Sequence, residues 1–184
     1  DGIISGSHNL GIEDYNRVTA PIISFDRNLS PDIPVVSSDN YAGGVLAAQT
    51  LVKTGDQSII MITGNDNSNS PTGLRHAGFA SVLPKAPIIN VSSDFSPVRK
   101  EMEIKNILTR QKPDAIFASD DLTAILVIKI AQELGVSVPE DLKVIGYDGT
   151  YFIENYYPQL ATIKQPMEEI ACLTVDLLLQ KIEG

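Results

Sequence analysis

Five short apolar runs punctuate this chain: PIISF (21–25), SIIMIT (58–63), PIINV (87–91), DAIFA (114–118) and KVIGY (143–147). Segments of helical period separate them. β-Branched runs of this length read as strands covered on both faces. Their alternation with helices predicts an α/β fold with parallel, doubly wound sheets and right-handed crossovers. Each run is followed by polar residues: Asp26-Arg27, Asn65 to Arg75, Ser92 to Phe95, Ser119-Asp120-Asp121 and Asp148-Gly149-Thr150. Ligands of open parallel sheets bind outside the carboxyl ends of the strands. A chain that sets polar groups there, strand after strand, reads as a small-molecule receptor.

The helices follow from periodicity and punctuation. One is expected over about residues 40–53, capped by Asp39 and stopped by Gly55, with Ala42, Val45, Leu46 and Val52 inward. A second lies near 73–83, with Phe79, Val82 and Leu83 inward. A third, near 98–111, carries Met102, Ile104, Ile107 and Leu108 and ends before Pro113. The segment 120–134 is apolar almost all round, so it is expected to be buried or to form an interface. A final amphipathic helix over 166–182 is expected to face inward through Met167, Ile170, Ala171, Val175, Leu178 and Ile182. The stretch 149–165 has no period, yet it carries Tyr151, Phe152, Tyr156 and Tyr157, a clustering typical of interfaces.

Composition excludes several classes. The 184 residues carry 14 basic against 23 acidic side chains, a net charge of −9. Nucleic-acid affinity rests on cationic contacts to phosphate, so this stretch alone is a poor DNA binder. No apolar run approaches the ~20 residues of a membrane helix, and the opening DGIISGSHNL is no signal peptide. The one cysteine, Cys172, permits neither an intrachain disulfide nor a thiolate metal site. It reads as a small buried hydrophobe, and cytoplasmic residence fits. No cofactor motif and no metal-binding spacing occurs.

Several motifs resemble those of the LacI/GalR family of transcriptional regulators. They are DGIIS (1–5), PIISFDR (21–27), SSDNYAGGVLAAQTL (37–51), GLRHAGF (73–79), SSDFSP (92–97) and, over 114–184, DAIFASDDLTA, ELGVSVPEDLKVIGYDGT and YPQLATIKQPMEEIA. Residues 147–166 further resemble the sucrose-operon branch. The resemblance implies a periplasmic-binding-protein type I effector domain of two Rossmann-like lobes. Residues 1–37 and 164–184 would belong to the N-terminal lobe and 38–163 to the C-terminal lobe. It also implies a DNA-binding helix-turn-helix domain outside this chain, and a first lobe that is incomplete here. Implied partners are a sugar or sugar-phosphate effector, a second copy in a homodimer, and operator DNA reached through the absent head; no membrane is involved.

The resemblance also assigns residues. Arg75 would reach into the cleft, its planar fork donating to hydroxyls or a carboxylate; the other reading is a solvated arginine at a helix start, paired with an acid. Asp148 would accept from two ligand hydroxyls, or it caps Gly149-Thr150. Phe95 would stack on the apolar face of a sugar. Ser119 stands where relatives contact ligand, while Asp120 caps the helix after it. Asp26 would contribute from the other lobe. Arg27 contacts ligand or pairs with an acid, and Ser70 and Thr72 are weaker candidates. His8 and His76 read as surface residues without partners. Leu122, Ile125, Phe152 and Tyr156 are expected at the dimer interface.

Two other readings compete with this one. A solute-binding protein for sugar uptake shares the fold, but the QPMEEIA…LLLQKIEG ending favours the regulator. A glycosidase needs carboxylates flanking one bond; adjacent Asp120 and Asp121 point apart, so no enzyme is expected.

Overall fold

The protein is described here from a computed structural model, which defines residues 1–6, 12–15, 17–64, 70–91 and 97–183. The elements begin with β1 (Ile3–Ser5), α1 (Ile12–Tyr15), β2 (Ile22–Phe25), β3 (Val35–Val36) and α2 (Asn40–Lys53). They continue with β4 (Ile59–Thr63), α3 (Pro71–Val82), β5 (Ile88–Asn90), α4 (Pro97–Gln111) and β6 (Ala115–Ala118). The last are α5 (Asp121–Glu133), β7 (Lys143–Asp148), α6 (Tyr151–Tyr156), β8 (Ala161–Lys164) and α7 (Met167–Glu183). The chain divides into two compact units, Asp1–Asp39 with Pro166–Gly184, and Asn40–Gln165.

In the first unit β1, β2 and β3 form a parallel sheet in that order. Helix α7 covers it: Ile170 joins Ile23 and Val36 in one buried cluster, with Leu177 and Leu178 against it. The inward stripe of α7 is therefore 170, 174, 177 and 178, the spacing of one helical face. The expected inward positions Met167, Ala171, Val175 and Ile182 are instead exposed. Cys172 is exposed too, correcting its expected burial. Two residues past Ile170 is about 200° round the helix, the side away from the sheet.

The second unit is a five-stranded parallel sheet, ordered β5-β4-β6-β7-β8. All of β4 and β6 is buried, as expected for central strands covered on both faces. On one face α4 and α5 enclose Ile60, Ile62, Ile104, Ile116, Val127 and their neighbours. On the other, α2 and α3 cover Met61, Phe79, Phe117 and Tyr147. Helix α3 starts two residues earlier than periodicity indicated, because Ser70 caps it and Pro71 begins its first turn.

Glycine decides how α2 and α3 meet. The expected face of α2, with Ala42, Leu46 and Val52, is exposed; the buried side is Asn40, Gly43, Gly44, Ala47, Ala48 and Leu51. A Cβ on Gly44 would lie 2.2 Å from the Arg75 carbonyl oxygen, and one on Gly78 would lie 2.1 Å from that of Tyr41. The two backbones touch where larger residues would hold them apart. A hydrophobicity count overlooks such a face because its smallest residues carry the contact.

The stretch 149–165 is not a plain loop: it forms α6 and the edge strand β8. Both are too short to establish a sequence period. Among the described residues no helix is long and apolar enough to cross a membrane.

Substituting Gly44 by Ala is expected to destabilise the protein by about 1–3 kcal/mol, since backbone must shift to admit the methyl. The control is Gly64→Ala, where nothing lies within 4 Å of the new Cβ. Urea unfolding of both variants checks the contrast.

Candidate functional site

The polar groups of the second unit converge where β4, β6, β7 and β8 end, the carboxyl edge of a parallel sheet. At the centre is Arg75, in the first turns of α3 and only 5% exposed. This removes the reading of a solvated helix-start arginine. Burying a guanidinium is costly unless its donors are satisfied. Nε donates to Asn40 Oδ1 at 2.8 Å, and an NH1 hydrogen goes to the Ser119 carbonyl at 2.6 Å. The guanidinium carbon sits 3.6 Å from the Tyr147 ring centroid, a stacked cation–π contact. Tyr147 occupies that position because residue 43 is glycine: a Cβ there would fall 2.4 Å from its hydroxyl.

Asp148 closes the β7 end beside this arginine, its Oδ1 3.6 Å from NH2. The same oxygen accepts from Gln165 Nε2 at 2.7 Å. Burial pushes the Asp148 carboxyl up to about 6, against the opposing pull of Arg75 and the Gln165 hydrogen bond, while Asp121 and Asp120 add to the rise. Its backbone lies at φ 122°, a region that favours glycine. The remaining NH2 hydrogens and the free edge of the carboxylate leave donors and an acceptor side by side. Vicinal hydroxyls, each both donor and acceptor, complement such a pair.

The other expected site residues fall as follows. Ser119 is buried at the β6 end, and its backbone carbonyl, more than its hydroxyl, serves the site through Arg75. Asp120 caps α5, accepting from Thr123 N at 2.7 Å and from Thr123 Oγ1 at 2.8 Å. Ser70 accepts from Gly73 N at 3.0 Å as the cap of α3, and Thr72 lies in that helix's first turn. Asp26, at φ 56°, and Arg27 follow β2 in the first unit. There Asp26 N donates to the Val36 carbonyl, and Ser24 Oγ donates to that of Arg27. Phe95, Asn65 and His8 lie outside the described residues.

His76 corrects an expectation. It is 7% exposed, and its Nε2 lies 2.7 Å from Thr63 Oγ1, tying α3 to the end of β4. The expectation failed because its one shown side-chain partner, Thr63, is 13 residues away on a neighbouring strand, a contact that no local pattern announces. Sequence reasoning also gave no role to Asn40, Tyr147 or Gln165. Their signal was positional: each sits at a helix start or strand end bordering the same edge.

The expected interface residues are solvent-facing within this chain. Leu122 is 72% exposed, Phe152 50% and Tyr156 68%, with Ile125 half-buried. Phe152 stacks on Tyr156 at 4.9 Å between centroids. A separate apolar cavity of 540 Å³, lined by Leu51, Ile125, Ile128, Val138 and Leu160, lies toward the amino ends of β7 and β8 and holds none of these polar groups.

A family model for the periplasmic binding protein-like domain matches residues 48–184. The chain belongs to that family. Among its relatives, the sucrose operon repressor of Streptococcus mutans is 63% identical over 183 residues, covering 100% of this chain and 57% of that protein. The sucrose operon repressor of Lactococcus lactis is 50% identical, covering 100% of this chain and 58% of that protein. This periplasmic binding protein-like chain thus spans a little over half the length of the curated relatives it matches. A solved LacI-family regulator from Enterococcus faecalis with bound ribose superposes with a TM-score of 0.86 at 26% identity, covering 100% of this chain and 70% of that one. A periplasmic binding protein/LacI regulator from Alkaliphilus metalliredigens, complexed with D-xylulofuranose, gives 0.83 at 30% identity with the same coverage. Family membership, within its LacI-type branch, and the fold anticipated from the sequence are thereby shown.

The raised Asp148 carboxyl makes a stability prediction with a definite sign. Its native pKa lies above the ordinary carboxylate range, so ionisation costs folding stability as pH rises from that range through about 6. Asp148→Asn is therefore expected to raise the melting temperature at pH 7, the gain vanishing once pH falls below the ordinary carboxylate range. A variant that melts lower at pH 7 contradicts the assignment of burial as the dominant influence.

Proposed function

We propose that this chain is the effector-sensing and dimerising part of a sugar-responsive, cytoplasmic LacI-type transcriptional repressor of carbohydrate genes, and that it is not an enzyme. The observation that carries the reading is the buried Arg75 aimed beside Asp148 at the carboxyl edge of the sheet, with donors and an acceptor left for hydroxyls. The names of the relatives supply the biological context: sucrose and ribose operon repressors. Sucrose or one of its hexose components is the proposed effector class. Phe95 and Asp26 are proposed as further effector contacts, and Arg27, Ser70 and Thr72 as lesser ones. Operator DNA would be bound by a separate head, since 14 basic against 23 acidic residues make this stretch alone a poor DNA binder. An uptake solute receptor shares the fold, and the repressor relatives weigh against it.

Ligand would act by binding one arrangement of the regulator better than another, shifting the population that holds DNA. Arg75→Ala and Asp148→Ala are each expected to abolish sugar-dependent release from operator DNA while the protein stays folded. Removing one partner of a buried charge-assisted hydrogen bond costs about 2–5 kcal/mol in binding. Calorimetry with sucrose and fructose checks this, and near-native affinity in either variant contradicts the placement.

Dimerisation is assigned to Leu122, Ile125 and the aromatic face of α6. Large exposed aromatics are the anchors that interfaces favour. Phe152→Asp and Tyr156→Asp are expected to elute as folded monomers from a sizing column. A folded dimer counts against the assignment.

A further inference from the structure

Asp121 begins α5 and is 3% exposed, and both of its carboxylate oxygens are engaged. Oδ2 accepts from the backbone N–H of Gly149 at 2.8 Å, and Oδ1 accepts from Thr162 Oγ1 on β8 at 2.6 Å. The strand beside it leaves room for this carboxylate: a Cβ on Gly146 would lie 2.3 Å from Oδ1. The peptide joining Asp148 to Gly149 is thereby held at both poles. Its N–H goes to Asp121, and its carbonyl accepts from Gln165 N at 3.0 Å. Asp148 flanks this peptide at φ 122°, a conformation that an L-residue does not favour, whereas Gly149 at 58° takes the left-handed region open to glycine. A strained backbone persists only where its surroundings over-determine it. Here the second hydrogen bond of the clamp comes from Asp121.

We propose that Asp121 is a positioning residue for effector binding: it locks the 148–149 peptide so that the Asp148 carboxylate is presented beside Arg75, without itself touching the effector. This rests on the reading of Arg75 and Asp148 as the effector site. The same clamp reaches α6. Gly149 is followed by Thr150, the cap of that helix, and Lys164 on β8 pairs with Glu154 within it. The carboxylate thus joins the sugar-binding loop to the element that bears the exposed aromatic face.

The chemistry distinguishes this role from bulk packing. In Asp121→Asn the side-chain carbonyl can still accept from Gly149 N–H, and its NH₂ can donate to the Thr162 hydroxyl, which both donates and accepts. Asp121→Ala loses both bonds. In the full-length regulator, Asp121→Ala is expected to weaken binding of sucrose or fructose about tenfold or more, and Asp121→Asn to stay within about threefold of wild type. Hydrogen exchange of peptides spanning 147–152, measured without sugar, should show the Gly149 amide exposed in the alanine variant and protected in the asparagine variant. Should the alanine variant fail to fold, Asp121→Ser, whose hydroxyl stops short of Gly149, replaces it with the same expectations.

Wild-type sugar affinity in the alanine or serine variant overturns the proposal, as does unchanged protection of Gly149. Equal loss of affinity in the asparagine and alanine variants also overturns it, because the charge would then be acting on the sugar directly. If the wild-type protein binds neither sugar, the effector reading fails, while the exchange arm still decides whether Asp121 holds the peptide.

Discussion

The second unit is organised around the burial of one guanidinium. A charge taken out of water must be met by partners on every side, and Arg75 draws four from three parts of the fold: Asn40 of α2, the Ser119 carbonyl after β6, and both the Tyr147 ring and the Asp148 carboxylate of β7. That set exists only because α2 and α3 approach to backbone contact. Gly44 and Gly78 allow the approach, and Gly43 gives the Tyr147 hydroxyl its place. The glycines of GGVLAA and RHAGF and the polar site are therefore one feature. A helix pair packed at ordinary distance would leave Asn40 short of the arginine, and the charge would have no reason to stay inside.

The site is held in a state that resists relaxation. Asp148 combines an unfavourable backbone angle, held by a peptide that Asp121 clamps, with a carboxyl pushed up to about 6 by burial against the pull of Arg75 and the Gln165 hydrogen bond. Preorganisation of this kind lowers what a ligand must spend on ordering its receptor. On the proposed reading the acceptor serves binding, which accounts for an acidic group where stability alone would favour an amide.

Much of this was legible in the amino-acid sequence. The β-branched runs at 58–63, 114–118 and 143–147 announced the strands, and polar residues just beyond them marked Arg75, Ser119 and Asp148. What stayed hidden has physical causes. Helix α6 and strand β8 are too short to impose a period, so Gln165 had no strand end to belong to. The inward face of α2 is made of glycine and alanine, which a hydrophobicity pattern ranks below Leu46 and Val52, although these face solvent. His76 was misplaced because its partner, Thr63 on β4, is brought to it only by the tertiary fold. The positive φ of Asp148 and the two bonds of Asp121 are long-range consequences of β7 and β8 lying side by side, and no local motif encodes them.

The central claim is that hydroxyls of a sugar are received between Arg75 and Asp148 at the carboxyl edge of the second unit's sheet. A crystal structure of the full-length protein grown with sucrose or fructose tests it most directly. The account predicts sugar oxygens within hydrogen-bond distance of both the Arg75 guanidinium and the Asp148 carboxylate, with the Asn40 and Ser119 bonds to the arginine unchanged. Sugar bound elsewhere, with Arg75 and Asp148 still facing only each other, would contradict it.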